Sequence, residues 1–190
     1  MIRGRAINLR VIRESDLDAL LDLENDLTRK GDYLPHRLIA ESAFRRQLQE
    51  TGFLTEEVGR LLMVDGEDRI IGTVGYFRPA HYIDGYELAY NVYEPVRRGR
   101  GIATEAAGLL IGWLFSTKKI ARLQAAVLLE NAASRKVLER NGFRLEGVMR
   151  KATFTQGRSA DIELWSLLRE EWEEMRASRP PAEPAPPDGR

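Results

Sequence analysis

Two hydrophobic periods alternate along this chain. Ala6–Ile12 has Ile7, Leu9 and Val11 spaced by Asn8 and Arg10, a period of two that predicts a strand. Leu17, Leu20, Leu21, Glu24 and Leu27 follow at helical spacing, behind Ser15-Asp16-Leu17-Asp18, which reads as a capped helix start. Thr28–Arg37 is polar and contains Gly31 and Pro35, so a loop is expected before a second helix over Leu38–Gln49 with Phe44 and Leu48 inward. Arg60–Asp65 and Arg69–Phe77 predict a hairpin joined by Gly66-Glu67-Asp68, with Gly72 and Gly75 marking close packing or a bulge. A strand over Tyr86–Tyr93 stops at Glu94-Pro95, since proline cannot donate to a strand ladder. Ile102, Ala106, Leu109, Leu110, Trp113 and Leu114 then share one helical face. Arg122–Leu128 is a strand, Asn131 caps a helix that ends at Asn141-Gly142, and Phe143–Phe154 with Arg158–Leu167 closes as a hairpin about Thr155-Gln156-Gly157. Strands interleaved with helices predict an α/β fold.

Composition narrows the function classes. At 190 residues the chain suits one domain over residues 1–177, and Ser178–Arg190, which holds most of the eight prolines, is expected to be a disordered tail. The 29 basic residues balance 29 acidic ones, so no nucleic-acid or membrane-surface partner is expected. The chain has no cysteine and only His36 and His81, which removes disulfides, thiolate nucleophiles and a local zinc pair, and no metal is expected. The amino terminus lacks an apolar leader and no apolar run reaches spanning length, so a cytoplasmic protein is the expectation.

The chemistry concentrates in Arg97-Arg98-Gly99-Arg100-Gly101-Ile102-Ala103, between the central strand and the long helix. The first N–H groups of a helix have no internal partner, and the helix dipole favours an anion there. Glycines let the backbone turn sharply and approach a ligand closely. On these residues alone, a phosphate site and a basic loop that only starts a helix both remain open.

The segment Arg98-Gly99-Arg100-Gly101-Ile102-Ala103 fits the (Gln/Arg)-x-x-Gly-x-(Gly/Ala) signature of the GNAT superfamily of N-acetyltransferases. With Glu87-Leu88-Ala89-Tyr90 before it, Asn131–Phe143 after it and Asp161–Leu168 near the end, the chain resembles the RimJ/RimL-like branch, which acetylates ribosomal-protein N-termini. The resemblance spans roughly residues 5–172. It implies a single-domain GNAT fold: a mixed, strongly twisted sheet of about six to seven strands, helices on both faces, and a central pair of strands that splay apart.

The resemblance also implies a site. Acetyl-CoA would be the cofactor, its pyrophosphate held by the main-chain amides of Arg98, Gly99, Arg100, Gly101, Ile102 and Ala103, and its pantetheine arm laid along the splayed strand against the backbone of Asn91 and Val92. Asn131 would cap its helix or touch the pantetheine. Glu87 would be the base and Ser134 the hydroxyl that stabilises the leaving thiolate, because Leu138 stands where many such enzymes carry a proton-donating tyrosine. Tyr33, His36 and Arg37, and Arg150, Phe154 and Trp165 on the last hairpin, are candidate acceptor contacts, with core packing favoured for Trp165. The acceptor is expected to be an amine, on a small molecule or a protein N-terminus, and a homodimer is compatible with the family. The alternative is a non-catalytic acyl-CoA-binding module or sensor.

Overall fold

The computed structural model describes residues 1–31, 33–34 and 36–178. The tail expected over Ser178–Arg190 therefore lies, beyond Ser178, outside the described residues, as do Asp32 and Pro35 in the predicted loop. Eight strands form one sheet: β1 (Ile2–Arg3), β2 (Asn8–Arg10), β3 (Val58–Val64), β4 (Ile70–Phe77), β5 (Gly85–Val92), β6 (Arg122–Leu128), β7 (Arg144–Thr155) and β8 (Arg158–Leu168), in the order β1-β2-β3-β4-β5-β6-β8-β7. The seven strands read from the pattern are all present. The eighth, β1, is two residues long, too short to show a period, and pairs with Asn8 and Leu9. Every neighbouring pair is antiparallel except β5 and β6.

Six helices flank the sheet: α1 (Leu17–Asn25), α2 (Leu27–Lys30), α3 (Glu41–Thr51), α4 (Ile102–Thr117), α5 (Ala132–Arg140) and α6 (Arg169–Ala177). The sheet separates two cores. Ile102, Ala106, Leu110, Ile111 and Leu114 of α4 pack with Leu61, Val74, Tyr86, Leu88 and Leu123 on one face. Leu17, Leu20 and Phe44 pack with Leu62, Val64 and Tyr93 on the other. Leu138 of α5 is fully buried in the first core, and so is most of Trp165, whose Nε1 donates to Glu163 at 3.0 Å.

Several boundaries differ from the sequence reading. The segment read as a loop from Thr28 begins within α2, because Asp26 caps a new turn by accepting from the Thr28 N–H at 3.0 Å. Ser15 is not a cap; a short 3-10 turn, Glu14–Asp16, precedes α1, and Asp16 reaches back to accept from the Arg13 N–H at 2.7 Å. Its carboxylate also takes two bonds from the buried Arg10 guanidinium, at 2.7 and 2.9 Å, so a tertiary ion pair decides where the helix begins. Helix α3 starts at Glu41 rather than Leu38, because the segment before it is held extended: the Ile39 N–H donates to Asn25 Oδ1 at 2.7 Å and its carbonyl accepts from Asn25 Nδ2 at 3.0 Å. Helix α6 has no counterpart in the sequence reading. Its first residue, Arg169, donates to the carbonyls of Phe115, Lys118 and Ile120 at 2.7–2.9 Å, satisfying groups that the end of α4 leaves free.

Strands β5 and β6 pair only at Gly85–Arg122, Tyr86–Leu123 and Glu87–Gln124. Beyond Glu87, β5 remains fully paired with β4 through Val92, and β6 with β8 through Leu128. The two central strands thus diverge, as expected, and each keeps one unpaired side toward the gap. Among the described residues no helix is long and apolar enough to cross a membrane.

Candidate active site

The alternation of an antiparallel ladder decides which main-chain groups face the gap. The Tyr93 N–H donates to the Ile71 carbonyl at 3.0 Å, so the groups of Asn91, like those of Tyr93, point into β4, opposite Thr73. Those of Leu88, Tyr90 and Val92 point the other way. The expectation for Val92 therefore stands on the correct side of the strand. That for Asn91 is corrected: its backbone serves the ladder, and Leu88 and Tyr90 take its place. On the β6 side the Leu128 carbonyl accepts from the Asn131 N–H at 2.9 Å.

The glycine-arginine turn lies at the end of this gap, where β5 runs through a short 3-10 turn (Pro95–Arg97) into α4. Gly99 and Gly101 have φ of +73° and +83°, a region that costs a residue with a Cβ, and Gly101 is the N-cap of α4. A Cβ on either glycine would meet nothing within 4 Å. The N–H groups of Gly99, Arg100, Gly101, Ile102, Ala103 and Thr104 have no acceptor among the described residues, and helical bonding resumes with the Glu105 N–H on the Gly101 carbonyl at 2.9 Å. Six free amides around open space form an anion cradle at a helix start.

Arg98 is a correction. Its N–H is spent on the Pro95 carbonyl at 3.1 Å, and its guanidinium binds the carbonyls of Val92 (2.9 Å), Tyr93 (3.4 Å) and Arg29. It fastens the turn to β5 and α2. Arg97 is likewise occupied, by Glu94 at 2.7 Å and Asp65 at 3.5 Å. Arg100 alone of the three is exposed with no ion pair or side-chain hydrogen bond among the described residues.

Glu87 and Ser134 stand on opposite faces of the gap. Glu87 accepts from Gln124 Nε2 at 2.9 Å across the last pair before the strands diverge. Burial raises its pKa above the ordinary carboxylate range, and the Gln124 bond offsets only part of that. Gln124 Oε1 is buried without a hydrogen-bond partner among the described residues. Ser134 sits in the first turn of α5, where its N–H donates to the Asn131 Oδ1 cap at 3.0 Å. Asn131 is thus a helix cap, as expected of it. The Ser134 hydroxyl lies 2.6 Å from that of Tyr90, a residue the sequence reading used only as part of a motif. Burial pushes the Tyr90 phenol up to about 12, so it stays protonated at neutral pH. Its position in an alternating strand gave no sign of this, because Leu88 and Val92 on either side are equally suited to core.

Beyond Glu87, on the face carrying α1–α3, lies a cavity of about 430 Å³ lined by Ala89, Tyr90 and Asn91 of β5 and by Glu24, Lys30, Arg37 and Arg60 among others. Glu24 is buried and accepts from Arg60 at 3.2 Å and from the Tyr93 hydroxyl. Of the loop candidates, Arg37 lines this cavity, while His36 contacts the Gly31 carbonyl at 3.1 Å in an exposed position. Tyr33 donates its hydroxyl to the Glu130 carbonyl at 3.1 Å, strapping the loop to the turn after β6. Arg150 and Phe154 are exposed on β7 and do not line the cavity.

This architecture is shared with known proteins. The chain is 27% identical over 179 residues to the "Probable N-acetyltransferase YjcK" of Bacillus subtilis, covering 88% of this chain and 97% of that protein. The fold superposes at a TM-score of 0.77 on the spermidine N-acetyltransferase of Vibrio cholerae, solved with CoA and spermine, at 18% identity over 90% of this chain and 99% of the other. It superposes equally, at 0.77 and 21% identity, on RimL, a ribosomal L7/L12 α-N-protein acetyltransferase solved with coenzyme A, over 88% and 97% of the two chains. Residues 6–144 match the Acetyltransferase (GNAT) domain, and on that match the chain belongs to the GNAT family of acetyltransferases.

Proposed function

We propose that this enzyme transfers an acetyl group from acetyl-CoA directly to a primary amine, with no covalent enzyme intermediate. The observation that carries the reading is the set of six unsatisfied amides from Gly99 to Thr104 at the mouth of the splayed strands. Unpaired amides at a helix start suit a pyrophosphate, a Cβ on Gly99 or Gly101 would meet nothing within 4 Å, and Arg100 is an exposed cation of the same turn with no ion pair among the described residues. The outward main-chain groups of Leu88 and Tyr90 and the N–H of Val92, whose carbonyl is bound by Arg98, suit an amide-bearing arm laid along β5 as an added strand. Two solved proteins of this fold hold coenzyme A, which supports the same reading.

Acetyl-CoA supplies the acyl group as a reactive thioester. The remaining work falls to side chains. Glu87, ionised, takes the proton that the amine must shed, and its raised pKa makes it a stronger base than an exposed carboxylate. Gln124 donates Nε2 to the Glu87 carboxylate at 2.9 Å and so orients it. Ser134 donates its hydroxyl toward the departing sulfur. Tyr90 acts as a positioning residue, because its hydroxyl at 2.6 Å fixes where the serine proton points. The acceptor is an amine of a small molecule or of a protein N-terminus, and dependence on acetyl-CoA carries with it a cytoplasmic site of action.

The test is thiol release from acetyl-CoA in the presence of a panel of peptides, polyamines and amino sugars. Turnover with at least one amine, lost in Glu87→Gln while acetyl-CoA still binds, is the expected result. Binding of acetyl-CoA without turnover on any amine would establish the acyl-CoA-binding module instead.

A further inference from the structure

The cavity that Phe77 and Ala89 line, the former paired across the ladder with Glu87, carries unbalanced charge. Four charged side chains line it: Lys30, Arg37 and Arg60 against the single carboxylate of Glu24. Glu24 is already neutralised by Arg60 at 3.2 Å and bonded by the Tyr93 hydroxyl. Lys30, only 8% exposed, makes one hydrogen bond, from Nζ to the Arg37 carbonyl at 2.7 Å, and no ion pair among the described residues. An ammonium has three donors, so two N–H groups of a buried cation stand without an anion. Arg37, at the mouth, likewise has no ion pair among the described residues. A buried charge is costly to hold unpaired, and evolution retains one where something else pairs it.

The geometry points to an acceptor that brings its own anion: an amine-bearing peptide N-terminus with a carboxylate side chain in its first residues, the amine toward Glu87 and the carboxylate against Lys30 and Arg37. This rests on reading the cavity as the acceptor side of the acetyltransferase. It also separates this chain from a polyamine enzyme, since a polycation would set its charges against two cations, and Glu24, the one carboxylate lining the cavity among the described residues, is already paired with Arg60. The carboxylate replaces the counter-ion that Lys30 lacks, whereas a neutral isostere at the same place leaves the ammonium as it was.

Binding decides this independently of turnover. With the CoA-loaded protein, the affinities of the amidated tripeptides Ala-Glu-Ala, Ala-Gln-Ala and Ala-Lys-Ala and of spermidine are compared by calorimetry at low salt. The acidic peptide is expected to bind about tenfold more tightly than its glutamine isostere, and the cationic ligands more weakly still. Lys30→Met is expected to erase the preference for glutamate over glutamine, and CoA affinity reports that the variant is folded. Because Lys30 is buried, Arg37→Gln at the exposed mouth serves as a second probe, reducing the preference severalfold. Equal binding of the glutamate and glutamine peptides, tighter binding of spermidine, or no binding of any peptide overturns the assignment. Acidic peptides that bind as expected but release no thiol would instead count against acetyl transfer and leave the charge preference intact.

Discussion

As the proposed base, Glu87 serves function at a cost to stability. Its folded pKa is raised by burial, so the ionised form is disfavoured in the folded state, and the stability it contributes is present at low pH and lost as pH rises through the raised value. The base must nonetheless be ionised to act. Activity should therefore fall as pH drops through that pKa, above the ordinary carboxylate value of about 4.3. Glu87→Gln should lower turnover by about a hundredfold, abolish this acid limb, and leave the melting temperature at neutral pH unchanged or raised. A pH–rate profile and thermal unfolding of the two proteins check the pair of signs. Gly101→Val tests the cradle in the same way. Its φ of +83° makes valine strained by about 1–3 kcal/mol, and the added side chain stands within the turn whose amides have no acceptor among the described residues. Acetyl-CoA affinity should fall at least tenfold by calorimetry, while Arg97→Ala, whose side chain is tied to Glu94 and Asp65, should leave it nearly unchanged.

Elements decide where such residues stand. Helix α5 is short, nine residues, and its start depends on one cap, Asn131 Oδ1 on the Ser134 N–H. Asn131→Ala should cost about 1 kcal/mol in denaturant unfolding. Because the same bond positions Ser134 against Tyr90, turnover should fall by more than that loss of stability accounts for; Tyr90→Phe should lower turnover without affecting acetyl-CoA affinity. At the other face, the start of α1 depends on Asp16 with Arg10. Burial pushes the Asp16 carboxyl up, but the Arg10 guanidinium and the Arg13 N–H outweigh it and hold the pKa below the usual value. That contribution is present above the ordinary Asp range of about 3.9 and is lost as pH falls through the lowered pKa. Asp16→Ala leaves a buried guanidinium with only Asp68, and should cost about 3 kcal/mol at neutral pH by denaturant titration.

At the scale of the whole molecule, the sheet is continuous except between the far halves of β5 and β6. Three residue pairs join β5 to β6, and everything beyond them is held from the outside by β4 and β8. Amide hydrogen exchange reads this directly. The amides of Leu88, Tyr90 and Val92 should exchange quickly in the free protein and become protected when CoA is added. Those of Asn91 and Tyr93, turned into β4, should be slow in both states.

What the sequence determined by itself was local. A period of two or of 3.6 survives in any context that buries one face, so seven strands and the helices α1, α3, α4 and α5 were legible, as was the turn from Arg98 to Ala103, whose glycines are required by its φ values. The tertiary structure decided whatever depends on which way a group points or what stands opposite. Alternation makes a central strand visible but not which of its neighbours each amide faces, so Asn91 and Val92 looked alike until β4 took one of them. Arg98 and Arg100 looked alike until carbonyls from β5 and α2 consumed the first. Tyr90 met Ser134 across 44 residues of chain, and Lys30 came to rest on the Arg37 carbonyl with no ion pair among the described residues. Each of these is a matter of long-range partners, and a one-dimensional pattern holds no record of them.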